Sequence, residues 1–128
     1  MKATVEYQPM SKILVVDDDE AVAAFVKAAM EREGYTVHAA LSAAEGLERI
    51  QTDPEGFELL ITDVMMPGTS GVELAGAAAL SDPSLRVLFI SGYSQAYLPR
   101  NCYFLEKPFT PSQLKSKVLS IIASALSY

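Results

Sequence analysis

Short apolar runs alternate along this chain with stretches of helical periodicity, and that alternation leaves few folds open. Ile13 to Val16 is continuously apolar, while Val22, Phe25, Val26, Ala29 and Met30 recur at the spacing of one helix face, followed by Gly34 at a C-terminal position. A continuous apolar run suits a strand covered on both faces, and strands separated by amphipathic helices build a parallel sheet from βα units. The pattern repeats. Tyr35 to Ala40 reads as a second strand; Ser42 with Glu45 opens a helix carrying Leu47 and Ile50 that ends near Asp53-Pro54. Phe57 to Thr62 is a third strand and Val72 to Leu80 a short Ala-rich helix. Leu85 to Ile90 and Cys102 to Glu106 complete five strands. Thr110, Pro111 and Gln113 then start a last helix with the stripe Leu114, Val118, Ile121, Ile122 and Ala125.

The crossover between the fourth and fifth strands breaks the rhythm, because Gln95 to Asn101 contains Pro99 and holds no more than a turn or two. A helix there is expected to be short or absent. The fold class is α/β, a flavodoxin-like doubly wound sheet of five parallel strands in the order 2-1-3-4-5 with helices on both faces. Residues 1–11 lack apolar periodicity and read as an N-terminal extension, leaving 12–128 as one domain.

Polar residues interrupt the pattern at particular places. Asp17, Asp18, Asp63, Ser91 and Lys107 each follow an apolar strand, so all five reach one edge of the sheet, where open α/β sheets bind ligands. With strands 1 and 3 adjacent, Asp17, Asp18 and Asp63 face one another. Clustered carboxylates repel unless some are protonated or a cation sits among them, and a hard divalent ion such as Mg²⁺, which prefers carboxylate and phosphate oxygens, is the simpler answer. Asp19 is better read as a helix N-cap. Taken alone, Lys107 fits a structural ion pair and Ser91 a turn. Together with a carboxylate nucleophile and a metal pair, they supply the parts of an aspartyl-phosphate site.

Composition narrows the function classes. Sixteen acidic against ten basic residues give a formal charge of −6, which repels a phosphate backbone and argues against direct nucleic-acid binding. The single Cys102 forms no internal disulfide, and neither a secretory leader nor an apolar run long enough to span a bilayer is present. No membrane insertion and a cytoplasmic location are expected.

Four stretches in order, Ile13-Leu-Val-Val-Asp17-Asp18, Asp63-Val-Met-Met66-Pro67 with Gly71, Phe89-Ile-Ser91-Gly92 and Lys107-Pro108-Phe109, resemble the response-regulator receiver family of two-component phosphorelays, over residues 12 to about 124. The resemblance implies that Asp63 is the phosphoacceptor and that Asp17, Asp18 and Asp63 hold Mg²⁺ with the backbone carbonyl of Met65. It further implies that Ser91 senses the phosphoryl group, that Lys107 contacts it, and that Phe104 is the aromatic switch. The partner would be a histidine kinase or a histidine phosphotransfer domain, and the domain would catalyse only its own phosphorylation and dephosphorylation. Met65 and Tyr93 would flank the phosphoryl group.

The chain departs from the family between Ser91 and Lys107, about six residues shorter than usual, or roughly 9 Å of helix. Together with the Phe-Ile-Ser-Gly-Tyr stretch, this is similar to receivers attached to hybrid histidine kinases. The shortened segment belongs to the family's output and dimerisation face, so a weak homodimer is the oligomer the resemblance allows. Two rival readings are a phosphohydrolase of the haloacid dehalogenase type, using Asp17-x-Asp19, and a flavodoxin-like module binding a phosphorylated small molecule. Length and the order of the other motifs oppose the first; the lack of a Gly-rich phosphate loop after strand 1 opposes the second.

Overall fold

A computed structural model of the chain describes residues 11–92, 98–99 and 102–125. The expected extension at residues 1–11, apart from Ser11, lies outside these residues, as do Tyr93, most of the short segment Gln95 to Asn101 and the side chain of Ala125. The described elements, in chain order, are β1 (Lys12–Val16), α1 (Glu20–Arg32), β2 (Thr36–Ala40), α2 (Ala43–Thr52) and β3 (Leu59–Asp63). They continue with α3 (Gly71–Ser81), β4 (Arg86–Ser91), β5 (Tyr103–Glu106) and α4 (Pro111–Ala125). All strand pairs are parallel, and the sheet order is β2-β1-β3-β4-β5.

The period-two geometry of the strands sorts the apolar residues into two cores. Ile13, Val15, Leu59, Ile61, Leu88 and Ile90 point to the face covered by α1 and α4, where Val26, Met30, Leu114, Val118 and Ile121 meet them. Leu14, Val16 and Leu60 point the other way, against Ala43 and Ile50 of α2 and Leu74 and Ala78 of α3. The three central strands therefore carry apolar residues on both faces, while the edge strands β2 and β5 are only partly buried. One member of the expected α1 stripe differs. Phe25 is 41% exposed and lies beside Phe109 with ring centroids 6.1 Å apart, because it sits at the rim of the α1 face.

Helix ends follow local chemistry. Asp19 accepts the N–H groups of Ala21 and Val22, Ser42 accepts that of Glu45, and Thr110 exchanges bonds with Gln113. Gly34 takes φ +96°, the left-handed turn expected after α1. A further capping box, Ser70 with Glu73, starts α3 and is legible in the sequence as Ser-x-x-Glu, although it was not among the expected elements. All five strands differ by one or two residues from their expected limits. Phe57 packs its ring into the second core outside β3, whereas β3 and β4 each run one residue further, because the ladder continues through Asp63 opposite Ile90 and Ser91 opposite Glu106. Cys102 falls just before β5.

At the start of β1, Lys12 bonds Asp53 at 2.6 Å, lies 3.4 Å from Glu55 and sits 5.1 Å above the Phe57 ring. This polar cluster ties the sheet to the loop after α2, at the pole opposite the carboxyl ends of the strands.

Candidate functional site

The strand order makes β1 and β3 neighbours, and both end at the same edge. Asp17 directly follows β1, its N–H bonding the Ala40 carbonyl of β2 and so prolonging the ladder. It has no exposure to solvent. One of its oxygens accepts the N–H of Asp19 at 2.9 Å; the other lies 3.3 Å from the Lys107 ammonium. Asp63, the last residue of β3, is 9% exposed and pairs with the same ammonium at 3.4 Å. Asp18 is exposed beside them, and oxygens from all three carboxylates lie within 4.8 Å of one another.

Lys107 reaches this cluster from the far side of the sheet. It follows the edge strand β5, and its N–H donates to the Ser91 carbonyl at 2.8 Å, which fixes the backbone from which the side chain crosses to β3 and β1. Ser91 ends β4 and is almost fully buried. Thus Asp17, Asp18, Asp63 and Lys107 come together as the sequence led one to expect, with Ser91 on the strand next to Asp63. Phe104 sits further back, half-buried on β5 and in register with Phe89. Met65 is 58% exposed, two residues beyond Asp63.

Three carboxylates face one ammonium. Burial pushes the Asp17 carboxyl above the ordinary aspartate range, against the opposing pull of the Asp19 N–H and the Lys107 charge. Burial also works to lower Lys107, but the charges of Asp17 and Asp63 outweigh it and hold the ammonium above the usual lysine value. The donor set, carboxylate oxygens with excess negative charge and one member open to solvent, suits a hard divalent cation that keeps some of its water. Asp19 stands apart: its carboxylate is occupied with the N-terminus of α1, as expected of a cap, and is not placed to serve as the general acid of the phosphohydrolase reading.

Two residues around the site had no role in the sequence reading. Thr62 is fully buried and donates its hydroxyl to the Asp63 carbonyl at 2.9 Å, and nothing in its position on an apolar strand distinguishes it from a β-branched core residue. Gly71, known only as a motif glycine, proves to be a point of close approach: a Cβ there would collide with the Asp63 carbonyl oxygen. Beside Lys107, residues Val22, Phe25, Pro108 and Phe109 also line an open apolar groove of about 310 Å³.

Comparison with known proteins agrees with this architecture. The response regulator receiver protein CpdR of Brucella abortus (strain 2308) is 35% identical over 122 residues, covering 91% of this chain and 100% of that protein. The sensor kinase CckA of the same organism is 32% identical over 116 residues, and there the chain spans only 12% of the relative's length. Among solved structures, a receiver domain protein (CheY-like) from Methanospirillum hungatei JF-1 superposes with a TM-score of 0.84 at 29% identity, covering 91% of this chain and 97% of that one. The receiver domain of the hybrid histidine kinase CckA gives 0.76 at 32% identity, covering 86% and 97%. The family model described as the response regulator receiver domain matches residues 13–119. A match over that span, on a sheet whose carboxyl edge gathers these residues, makes the chain a member of the response-regulator receiver family.

Proposed function

We propose that this receiver domain accepts a phosphoryl group on Asp63 from the phosphohistidine of a histidine kinase or histidine phosphotransfer domain. A carboxylate oxygen of Asp63 attacks phosphorus as the bond to the donor nitrogen breaks, leaving an aspartyl phosphate. The observation that carries the assignment is the contrast between the two inner carboxylates. Asp17 has no solvent exposure and both its oxygens are engaged, whereas Asp63 lies at the mouth, within reach of Lys107 and beside the strand that ends in Ser91. Lys107 neutralises charge on the phosphoryl oxygens, and the Ser91 hydroxyl donates a hydrogen bond to one of them.

Asp17, Asp18, Asp63 and the Met65 carbonyl would hold Mg²⁺. The ion supplies electrostatic stabilisation of the transferring phosphoryl group when bound. Phe104 on β5 responds to the movement of Ser91, which makes the domain a signalling switch whose only catalysis is of its own phosphorylation and dephosphorylation. Among the described residues no helix is long and apolar enough to cross a membrane. A cytoplasmic location places the domain with its phosphodonor.

Incubation with Mg²⁺ and a small phosphodonor such as phosphoramidate, followed by mass spectrometry, should locate one phosphoryl group on Asp63. Asp63→Asn should abolish it. Modification at Asp17 instead would overturn the assignment.

A further inference from the structure

Asp63 is followed by a loop that returns at Gly71 to begin α3, and both ends of this loop converge on Thr62. The Thr62 side chain is fully buried in an otherwise apolar layer, in register with Val16 of β1 and Phe89 of β4. A hydroxyl in such a place costs free energy unless it is bonded, and a valine would occupy the same space without that cost. The hydroxyl is bonded, to the carbonyl of the next residue, Asp63, at 2.9 Å. Against the same peptide lies Gly71, where a Cβ would come 3.1 Å from the Thr62 hydroxyl and would collide with the Asp63 carbonyl. The Gly71 N–H in turn donates to the Val64 carbonyl at 2.8 Å.

The two carbonyls that begin the loop are therefore both held, that of Asp63 by Thr62 and that of Val64 by the first residue of α3. We propose that Thr62 is a positioning residue for the acidic site. Its hydroxyl fixes the peptide plane between Asp63 and Val64, and so sets the place to which the loop brings the Met65 carbonyl relative to the Asp63 carboxylate. Without that bond the peptide keeps only the Val64 N–H bond to the Ile90 carbonyl at 3.2 Å, and its carbonyl end can tilt in the space that glycine leaves at position 71. This inference rests on reading Asp63 and its neighbours as a Mg²⁺ and phosphoryl site.

The test uses two pairs that differ in a hydroxyl: wild type against Thr62→Val, and Thr62→Ser against Thr62→Ala. Amide NMR spectra of the metal-free proteins, followed by titration with MgCl₂, report loop position and metal affinity separately from phosphorylation. In each pair the member without the hydroxyl should bind Mg²⁺ roughly three- to tenfold more weakly, the loss expected for one hydrogen bond, and should shift the amides between Val64 and Gly71 before metal is added. Phosphorylation by phosphoramidate should slow by a similar factor, and Thr62→Ser should stay close to wild type in all three measurements. Equal Mg²⁺ affinity and unmoved loop amides in both pairs would overturn the positioning role while leaving Asp63 as phosphoacceptor. Should Thr62→Val fail to fold, the Ser and Ala pair decides the matter by itself. Normal hydroxyl dependence of the loop with phosphate found on another residue would sink only the assignment of Asp63, and a wild-type chain that binds no Mg²⁺ would sink both.

Discussion

Asp17 is a carboxylate closed off from solvent, and its burial makes the charged form costly. Because its folded-state value lies above the ordinary one, the folded chain holds this proton more tightly than the unfolded chain. Its contribution therefore falls as pH rises between the two values, where the costly charged form replaces the neutral one. Asp17→Asn should raise the melting temperature in chelator by a few degrees and remove most of the gain that Mg²⁺ gives to wild type. A variant less stable than wild type in chelator would show that the Lys107 pair outweighs burial. Met65 presents a different residue-scale question, since its side chain is exposed only two residues beyond Asp63. Met65→Ser should shorten the phosphoryl lifetime severalfold, measured as loss of label after donor removal.

Helix α3 contains two glycines with opposite roles. At Gly71 a methyl group meets the Asp63 backbone, so Gly71→Ala should destabilise by about 1–3 kcal/mol and impair the site. At Gly76 nothing lies within 4 Å, so Gly76→Ala should stabilise by roughly 0.5–1 kcal/mol through helix propensity. Urea unfolding of the two variants checks both signs. Another element-scale test concerns the tie from β1 to the loop after α2. The Lys12 hydrogen bond, against some desolvation, holds the Asp53 carboxyl below the usual carboxylate range, a stabilisation present above the unfolded value and lost as pH falls through the folded one. Lys12 itself is raised, chiefly by the Asp53 bond, so its share persists below the ordinary lysine value and is lost only as pH rises through the folded one. Lys12→Met should thus be less stable than wild type at neutral pH, and the gap in thermal melts should close under acid conditions. Such elements were largely legible in advance: a continuous apolar run marked β1, and Thr110 with Gln113 marked the start of α4. The exact ends were not, because pairing of Asp63 with Ile90 is decided by a neighbouring strand rather than by local sequence. At the site, charge and position at strand ends revealed the acidic cluster and Lys107, whereas Thr62 stayed hidden because its role depends on what packs above it.

At the scale of the whole molecule, the fold separates a buried centre from a more exposed margin. The carboxylates hang on β1 and β3, buried on both faces, while β5 has four residues, none fully buried, and lies at the edge of the sheet. Comparing NMR spectra with and without a beryllofluoride mimic of the phosphoryl group should show changes at Ser91 and from Tyr103 to Leu105. Silence there, with a strong response only at residues 95–100, would contradict the proposed switch through Ser91 and Phe104. Lys107 joins the two regions, since it extends from the end of β5 to Asp17 and Asp63. In hydrogen exchange, the central strands should open only with global unfolding, and β5 through cheaper, local excursions. A covalent event in the slowest-exchanging part of the protein can then be broadcast by retuning the fraying of four margin residues, leaving the stability of the whole nearly untouched.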